Sequence, residues 1–448
     1  MTSPLSSTPP PQPSAAVRAK RAIRQSLTWF NWNQVLRGMF DVVCGGGSFL
    51  FIAFAAALGI PDLKMGRFTL AASLGCLFQI VVLPLLSRVG DRKRFILTLG
   101  VVEPLILMAG VLMTPMLPAE LRLPALLLVV FIAAAFLNMT RPLMDDWVSS
   151  TIPAGVRGRY LGRRFQFFSV AIIIATQLAG WAGEHLGRNA PSNLAGILAA
   201  GGVFGLLSIA ALSKVPMVKP AVGASSPRLK DLPRVFAEKS YRHYLYGMVI
   251  YNLPFFLTVP YYQVFFQRGL GMKVSEVGNM LTLYWVVKVF ISGLAGRWSH
   301  RLGSRQAMLL IGPTYVAFFF LLVVANPERV WPVYLAWIVA GLGDATYNVA
   351  SMSALFGVVP PTGARPAFFA VNNLLTLGLF AVGAPIAEAV LRALSAAPLS
   401  LGSLELGPYQ RLFALSGLMM IPCMFGALLL IGRWRRGGGA SRCDGPAI

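Results

Sequence analysis

The sequence predicts an all-α membrane protein whose twelve transmembrane helices form two parallel six-helix repeats. Three observations carry that reading. Of the 448 residues, 56% are hydrophobic and only 12% are charged, about half the charged share of an ordinary globular domain. A soluble fold of this length could not cover its surface with so few solvating groups, whereas a bilayer asks for none. The apolar residues fall into twelve runs of about 20 residues, the length a helix needs to cross a bilayer core. Lysines and arginines then gather on alternate sides of those runs.

Residues 1–36 are expected to be a disordered, basic cytoplasmic N-terminus. Residues 1–17 are rich in Ser and Pro, and Arg18, Lys20, Arg21 and Arg24 follow, with no signal-peptide cleavage site behind them. An N-terminal bundle over 37–213 holds runs at 38–60, 66–86, 95–116, 124–149, 165–186 and 192–213. A linker over 214–242 carries seven basic residues against Asp231 and Glu238, and prolines at 216, 220, 227 and 233 break any long helix there. A C-terminal bundle over 243–432 holds runs at 243–267, 275–296, 306–326, 332–356, 367–391 and 411–432, before a basic tail at 433–448.

Placing the N-terminus in the cytoplasm puts 28 lysines and arginines on the cytoplasmic side, Arg37 among them, and nine on the other. The positive-inside rule then sets both termini and the linker in the cytoplasm of a multi-pass cell-membrane protein. The net charge of +23 is spread in short clusters between apolar runs, so it argues topology and not nucleic acid. Three short patterns recur at offsets of 212, 213 and 208 residues: Gly59 to Gly66 with Gly271 to Gly278, Arg88–Arg92 with Arg301–Arg305, and Pro153–Arg157 with Pro361–Arg365. Six is even, so both copies begin on the same side and the halves are parallel repeats.

These features resemble the major facilitator superfamily of secondary transporters. The specific mark is the loop after the second span of each half, where the family has Gly-x-x-x-Asp-Arg-x-Gly-basic-basic. Gly296, Arg301, Gly303 and Arg305 fit it, with His300 in the Asp position. The first copy aligns Leu83 with the Gly and Ser87 with the Asp, then Arg88, Gly90 and Arg92; with one residue deleted, Asp91-Arg92 becomes the Asp-Arg pair. The loop Pro153–Gly158, with Tyr160 and Gly162, also looks like the family's. The resemblance implies a cytoplasmic gate drawn from Arg88, Asp91, Arg92, Arg157, Gly296, His300, Arg301, Arg305 and Arg365. Asp91 or Asp146 is expected to supply its acid. The plainer reading of these arginines is topological anchoring.

Charges inside spans are costly and mark function by default. Asp344, near the centre of the tenth span, is the best single proton or cation site, with Asn348 one turn on and Lys288 of the eighth span as its counter-charge. The fourth span holds Asn138, Arg141 and Asp145, the last two spaced to pair along one helix face. Glu103 and Glu388 are weaker candidates. Tyr244, Tyr251, Thr258 and Tyr262 form one stripe of the seventh span beside Asn252, suited to an organic solute or, alternatively, to lipid-facing packing. Asp41 of the first span precedes Cys44 and Gly45-Gly46-Gly47.

Four cysteines and three histidines lack metal or disulfide spacing, and no nucleotide or nucleophile motif appears, so no cofactor, metal or enzymatic activity is expected. The expected partners are the lipid bilayer, a small solute and protons, with the chain working as a monomer. The function expected is proton-coupled export of an organic solute by alternating access. Facilitated or cation-coupled uptake, or a transport-inactive receptor of the same fold, stands as the alternative.

Overall fold

The computed structural model describes residues 15–85, 89, 91–152, 157–187, 190–216, 232–302, 304–360, 365–395, 399–401 and 404–434. Every predicted run falls on helix. The first is broken: α1 (Ala15–Val43) stops before the glycine run, and α2 (Phe49–Ala57) restarts where the Ser48 side chain accepts from the Phe51 N–H at 3.2 Å. The second is split into α3 (Gly66–Gly75) and α4 (Phe78–Leu85). Then come α5 (Arg92–Met113), α6 (Ala119–Thr151), α7 (Arg157–His185) and α8 (Pro191–Ser213), and a short α9 (Leu232–Ala237) within the linker.

The seventh run comprises α10 (Lys239–Thr258), α11 (Tyr262–Val264) and a π-helical turn, Phe265–Gly269. It is followed by α12 (Val274–Leu302), α13 (Ser304–Val323) and α14 (Trp331–Val358). The eleventh comprises α15 (Arg365–Asn373), a π-helical turn at Leu374–Gly378 and α16 (Phe380–Ser395). A hairpin of β1 (Leu399–Leu401) and β2 (Leu404–Leu406), not anticipated from the sequence, precedes α17 (Pro408–Trp434).

Among the described residues, nine helical stretches are long and apolar enough to cross a membrane. The helices over the first, seventh and tenth predicted runs are not among them. Those three carry Arg37 and Asp41, the tyrosines of α10, and Asp344 with Asn348. A helix facing the inside of a bundle need not be apolar all round. Hydropathy therefore supports nine spans among the described residues; the helices over the seventh and tenth runs are too polar to add to them, and the first run is broken so that its apolar part, α2, is only nine residues long.

The repeat is visible in the packing. In the first half α1 packs on α7 and α8, α5 on α6 and α8, and α3 with α4 on α6. In the second, α10 packs on α16 and α17, α13 on α14 and α17, and α12 on α14. Each of these contacts in one half has its counterpart in the other. The turns after the first and seventh runs share a backbone device too: Gly59 (φ 82) and Gly271 (φ 67) adopt the left-handed conformation that closes a helix end. The halves meet along two seams, α7 against α12, and α3, α4 and α6 against α15 and α16. The face at which α1 and α10 begin is the terminal face; the opposite one is the far face.

One expectation fails here. Arg37 is not a loop anchor. It lies inside α1 with its side chain only 19% exposed, bonded to α5. The sequence reading began the first span at its longest apolar stretch, but α1 starts at Ala15 and packs on its neighbours well before Arg37. Asn33 donates to the Ser208 carbonyl at 3.0 Å, and Tyr160 to the Leu27 carbonyl at 3.0 Å.

Candidate functional site

The second half holds a polar cluster in an aromatic box. Asp344 on α14 accepts from the Tyr284 hydroxyl of α12 with one oxygen and from the Tyr315 hydroxyl of α13 with the other. Lys288, one turn from Tyr284, donates to the Tyr284 oxygen at 2.9 Å, and its ammonium stands 3.9 Å from the Asp344 carboxylate. The Lys288 side chain is 3% exposed and that of Asp344 32%. The ammonium is therefore the enclosed partner and the carboxylate the one open to exchange. Lys288 also lies over the rings of Trp285 at 4.2 Å, Tyr284 at 4.6 Å and Phe165 at 5.3 Å, a cation–π enclosure that replaces part of its lost hydration. Phe165 belongs to α7, so this charge touches the first half.

Close approach of α12 and α14 makes the cluster possible. A Cβ on Gly341 would stand 2.9 Å from the Tyr284 carbonyl oxygen and 3.1 Å from Val287. The tyrosine stripe of α10 completes the box. Tyr251 stacks on Tyr347 at 5.2 Å and meets Tyr315 edge-on at 5.9 Å, and Asn252 donates to the Tyr347 hydroxyl at 3.0 Å. Tyr244, Tyr251, Thr258 and Tyr262 are buried, so the stripe faces the protein and not lipid. The Tyr251 hydroxyl is buried without a hydrogen-bond partner among the described residues. Asn348 is half-buried one turn beyond Asp344.

The first half is arranged differently. Asn138 on α6 accepts from the Gln79 amide of α4 at 2.8 Å, both side chains buried. Arg37 forms a two-bond fork with Glu103, the Nη2 bond being 2.7 Å, and shares its remaining edge with Asp41 at 3.0 Å. Glu103 is enclosed and Asp41 half exposed. The expected Arg141–Asp145 pair does not form an ion pair among the described residues. Asp145 accepts from the Asn373 amide of α15 at 3.1 Å instead, with Arg141 acting on it from further away. That bond shows which face of α6 looks toward the second half. Arg141 lies one turn along the same face and is exposed.

The gate residues divide. Asp91 caps α5 by accepting from the Arg94 N–H at 3.0 Å and pairs with the Arg94 side chain at 3.2 Å. Lys93 donates to the Ser213 carbonyl at the end of α8 at 2.7 Å, a cation on a helix C-terminus. Asp146 on α6 lies in the field of Arg365, from the second half, and of Arg92. Arg88 lies outside the described residues. Arg157, Gly296, His300, Arg301 and Arg305 are placed in helix by their backbone, but their side chains lie outside the described set.

Sequence reasoning missed Tyr284, Tyr315 and Arg37. Tyr284 and Lys288 are four residues apart, as are Arg37 and Asp41, which was the available signal. Nothing in the sequence singled out Tyr315.

The Major Facilitator Superfamily model matches residues 244–442. A class E tetracycline resistance protein of Escherichia coli is 34% identical over 94 residues, 20% of this chain and 22% of that one. A class D counterpart from Salmonella ordonez is 38% identical over 77 residues, 17% and 19% respectively. The chain thus spans about a fifth of the curated relatives it matches. Among solved structures, a mutant of the nucleoside transporter NupG superposes with a TM-score of 0.59 at 12% identity, over 91% of this chain and 99% of that one. A bacterial homologue of the human lysosomal transporter Spinster, inward-facing and unoccupied, gives 0.63 at 14% identity, over 96% and 100%.

Proposed function

We propose that the chain is a transporter of the major facilitator superfamily, whose model matches residues 244–442 and whose fold it shares with two solved transporters, and that it exports an organic solute across the cell membrane in exchange for protons. The observation that carries this reading is the Asp344 carboxylate, held in the membrane-embedded part of the bundle by Tyr284, Tyr315 and Lys288 yet one-third exposed. A carboxylate is the group that proton coupling needs, and it costs too much there to be kept without a partner.

Protonation of Asp344 removes the charge that holds two phenols and an ammonium. Lys288 then loses its counter-ion while still enclosed, so the loaded site favours a different packing of α12 and α14. Phe165 against Lys288 passes that change to α7. The solute lies between the halves. The aromatic box offers it flat apolar surface, Asn252 and Asn348 offer hydrogen bonds, and exposed Arg141 offers an anion partner from the opposite half. Export is favoured over uptake by the likeness to two proteins named for tetracycline resistance. The terminal face, which carries the basic clusters, is the cytoplasmic one. Asp146 with Arg365 and Arg92 forms the gate on that side.

The test is flux in proteoliposomes with an imposed proton gradient, using tetracycline and uridine as probes. At least one probe accumulates with the gradient and equilibrates without it. Flux that ignores the gradient would leave facilitated movement as the function.

A further inference from the structure

The two seams between the halves are built differently, although the repeat relates them. Along one, α7 and α12 are both unbroken helices of 29 residues. Their contacts run from the far end, where a Cβ on Gly180 would stand 3.7 Å from the Ser275 Cα, to Gln166, whose amide reaches the Val289 carbonyl at 3.5 Å. The polar ties are neutral: Gln177 donates to Asn279 at 3.1 Å and to Thr282 at 2.7 Å. Phe168 packs edge-on against Trp285 at 5.6 Å.

Along the other seam both partners are interrupted. The second run breaks at Cys76-Leu77, between α3 and α4, and the eleventh passes through the π-helical turn at 374–378. The two interruptions face each other: a Cβ on Gly378 would stand 3.5 Å from the Cys76 Cβ. On the far side of this elbow, Arg67 of α3 grips Glu388 of α16 at 3.2 and 3.4 Å, and Arg392 bonds the same carboxylate. A second far-face pair, Arg268 with Asp62 at 3.4 Å, also joins the halves. On the terminal side, Asn373 of α15 bonds Asp145 of α6 at 3.1 Å. Continuous helices packed through glycine resist bending, whereas π-helical turns and helix breaks are where helices bend.

We propose that the halves do not rock symmetrically: α7 and α12 stay together as a fixed spine, while the other seam opens arm by arm about the Cys76–Gly378 elbow. The Arg67–Glu388 pair latches the far arm and Asp145–Asn373 the terminal arm. Each arm moves without the other because the chain is already bent between them. One latch is an ion pair partly open to water through Arg67, which is 38% exposed, and the other a single amide–carboxylate bond; both are weak enough to be exchanged for water.

Two spin-label pairs test this in the full chain, with Cys44, Cys423 and Cys443 changed to Ser and Cys76 changed to Ser unless stated. One pair, Leu63→Cys with Ala393→Cys, spans the far arm. The other, Trp181→Cys with Lys273→Cys, spans the spine. All four positions are exposed. Glu388→Gln is then introduced to release the latch, with Arg67→Gln as the second variant should the first not fold. The far-arm pair is expected to gain a longer distance, with the open-to-closed ratio rising about fivefold, the effect of losing about 1 kcal/mol. The spine pair is expected to keep one unchanged distance.

In a third protein Cys76 is retained and Gly378→Cys added, and the bridge is oxidised before labelling. The Cβ separation is within disulfide range, and far-arm opening should persist. Lengthening of both pairs together, which is symmetric rocking, would overturn the proposal. So would lengthening of the spine pair alone, or of neither. Loss of opening on forming the elbow bridge would refute the elbow.

Discussion

The two halves place the same contact at the same level and fill it with different chemistry. In the first, Gln79 of α4 meets Asn138 of α6; in the second, Lys288 of α12 meets Asp344 of α14. The members lie 209 and 206 residues apart, close to the repeat offsets. Both crossings are drawn tight by a glycine, Gly75 against Ala134 and Ala135 in one half and Gly341 against Tyr284 and Val287 in the other. The amide pair is neutral and closed. The charged pair needs two tyrosines and an aromatic enclosure to exist, and its carboxylate stays open. The difference teaches that the crossing itself is architecture, and that the second half has set a charged, partly open pair into it.

The comparison breaks most visibly at Asp344. Asp344→Ala leaves an enclosed ammonium and two phenols without their acceptor, and should cost about 3–5 kcal/mol, read as a large drop in the thermal midpoint in detergent. Transplanting the first half's chemistry, Lys288→Gln with Asp344→Asn, should recover most of that loss while abolishing proton-driven accumulation. If the double variant is as unstable as Asp344→Ala, the two crossings are not equivalent. Next in size is Tyr315→Phe, which removes a hydrogen bond to a charged group worth about 1.5–3 kcal/mol.

The first-half pair sharpens the contrast. Gln79→Leu alone should cost about 1 kcal/mol, since membrane side-chain bonds are modest. Gln79→Leu with Asn138→Leu should be nearly neutral for both stability and transport, because both polar partners leave together. A transport defect in that double variant, with normal stability, would move part of the site into the first half. The smallest effect belongs to Tyr251→Phe: its hydroxyl has no partner among the described residues, so the midpoint should move by less than the equivalent of about 0.5 kcal/mol. A larger loss would mean that the hydroxyl is engaged during the cycle.

What the sequence made legible follows the same division. Asp344 and Lys288 stood out because charges in apolar runs are rare, and one helical turn separates Asp344 from Asn348. The tyrosines that bind Asp344 did not, since an aromatic residue in a membrane helix reads as packing. Arg37 was misplaced because hydropathy starts a span at its apolar stretch, whereas a helix lining a bundle can start earlier and stay polar. Arg141 and Asp145 are spaced to pair along one face of α6, but the bond partner of Asp145 comes from α15, which no local spacing reveals. The Cys76–Gly378 elbow had no signature, because a π-helical turn is set by packing and not by a residue pattern. The repeat was legible in glycines: Gly59 and Gly271, matched by position, share the left-handed backbone that glycine permits.

The most direct measurement compares two modes of transport in one variant. Proteoliposomes holding Asp344→Asn would be loaded with whichever of tetracycline or uridine the unaltered protein accumulates. Solute-for-solute exchange and gradient-driven accumulation would then be followed side by side. Asparagine keeps the shape and the acceptor oxygen but cannot cycle a proton, so exchange should persist near its normal rate while accumulation disappears. Accumulation against a gradient at the unaltered level would contradict the account and send the search for coupling to Asp41, Glu103 or Asp145.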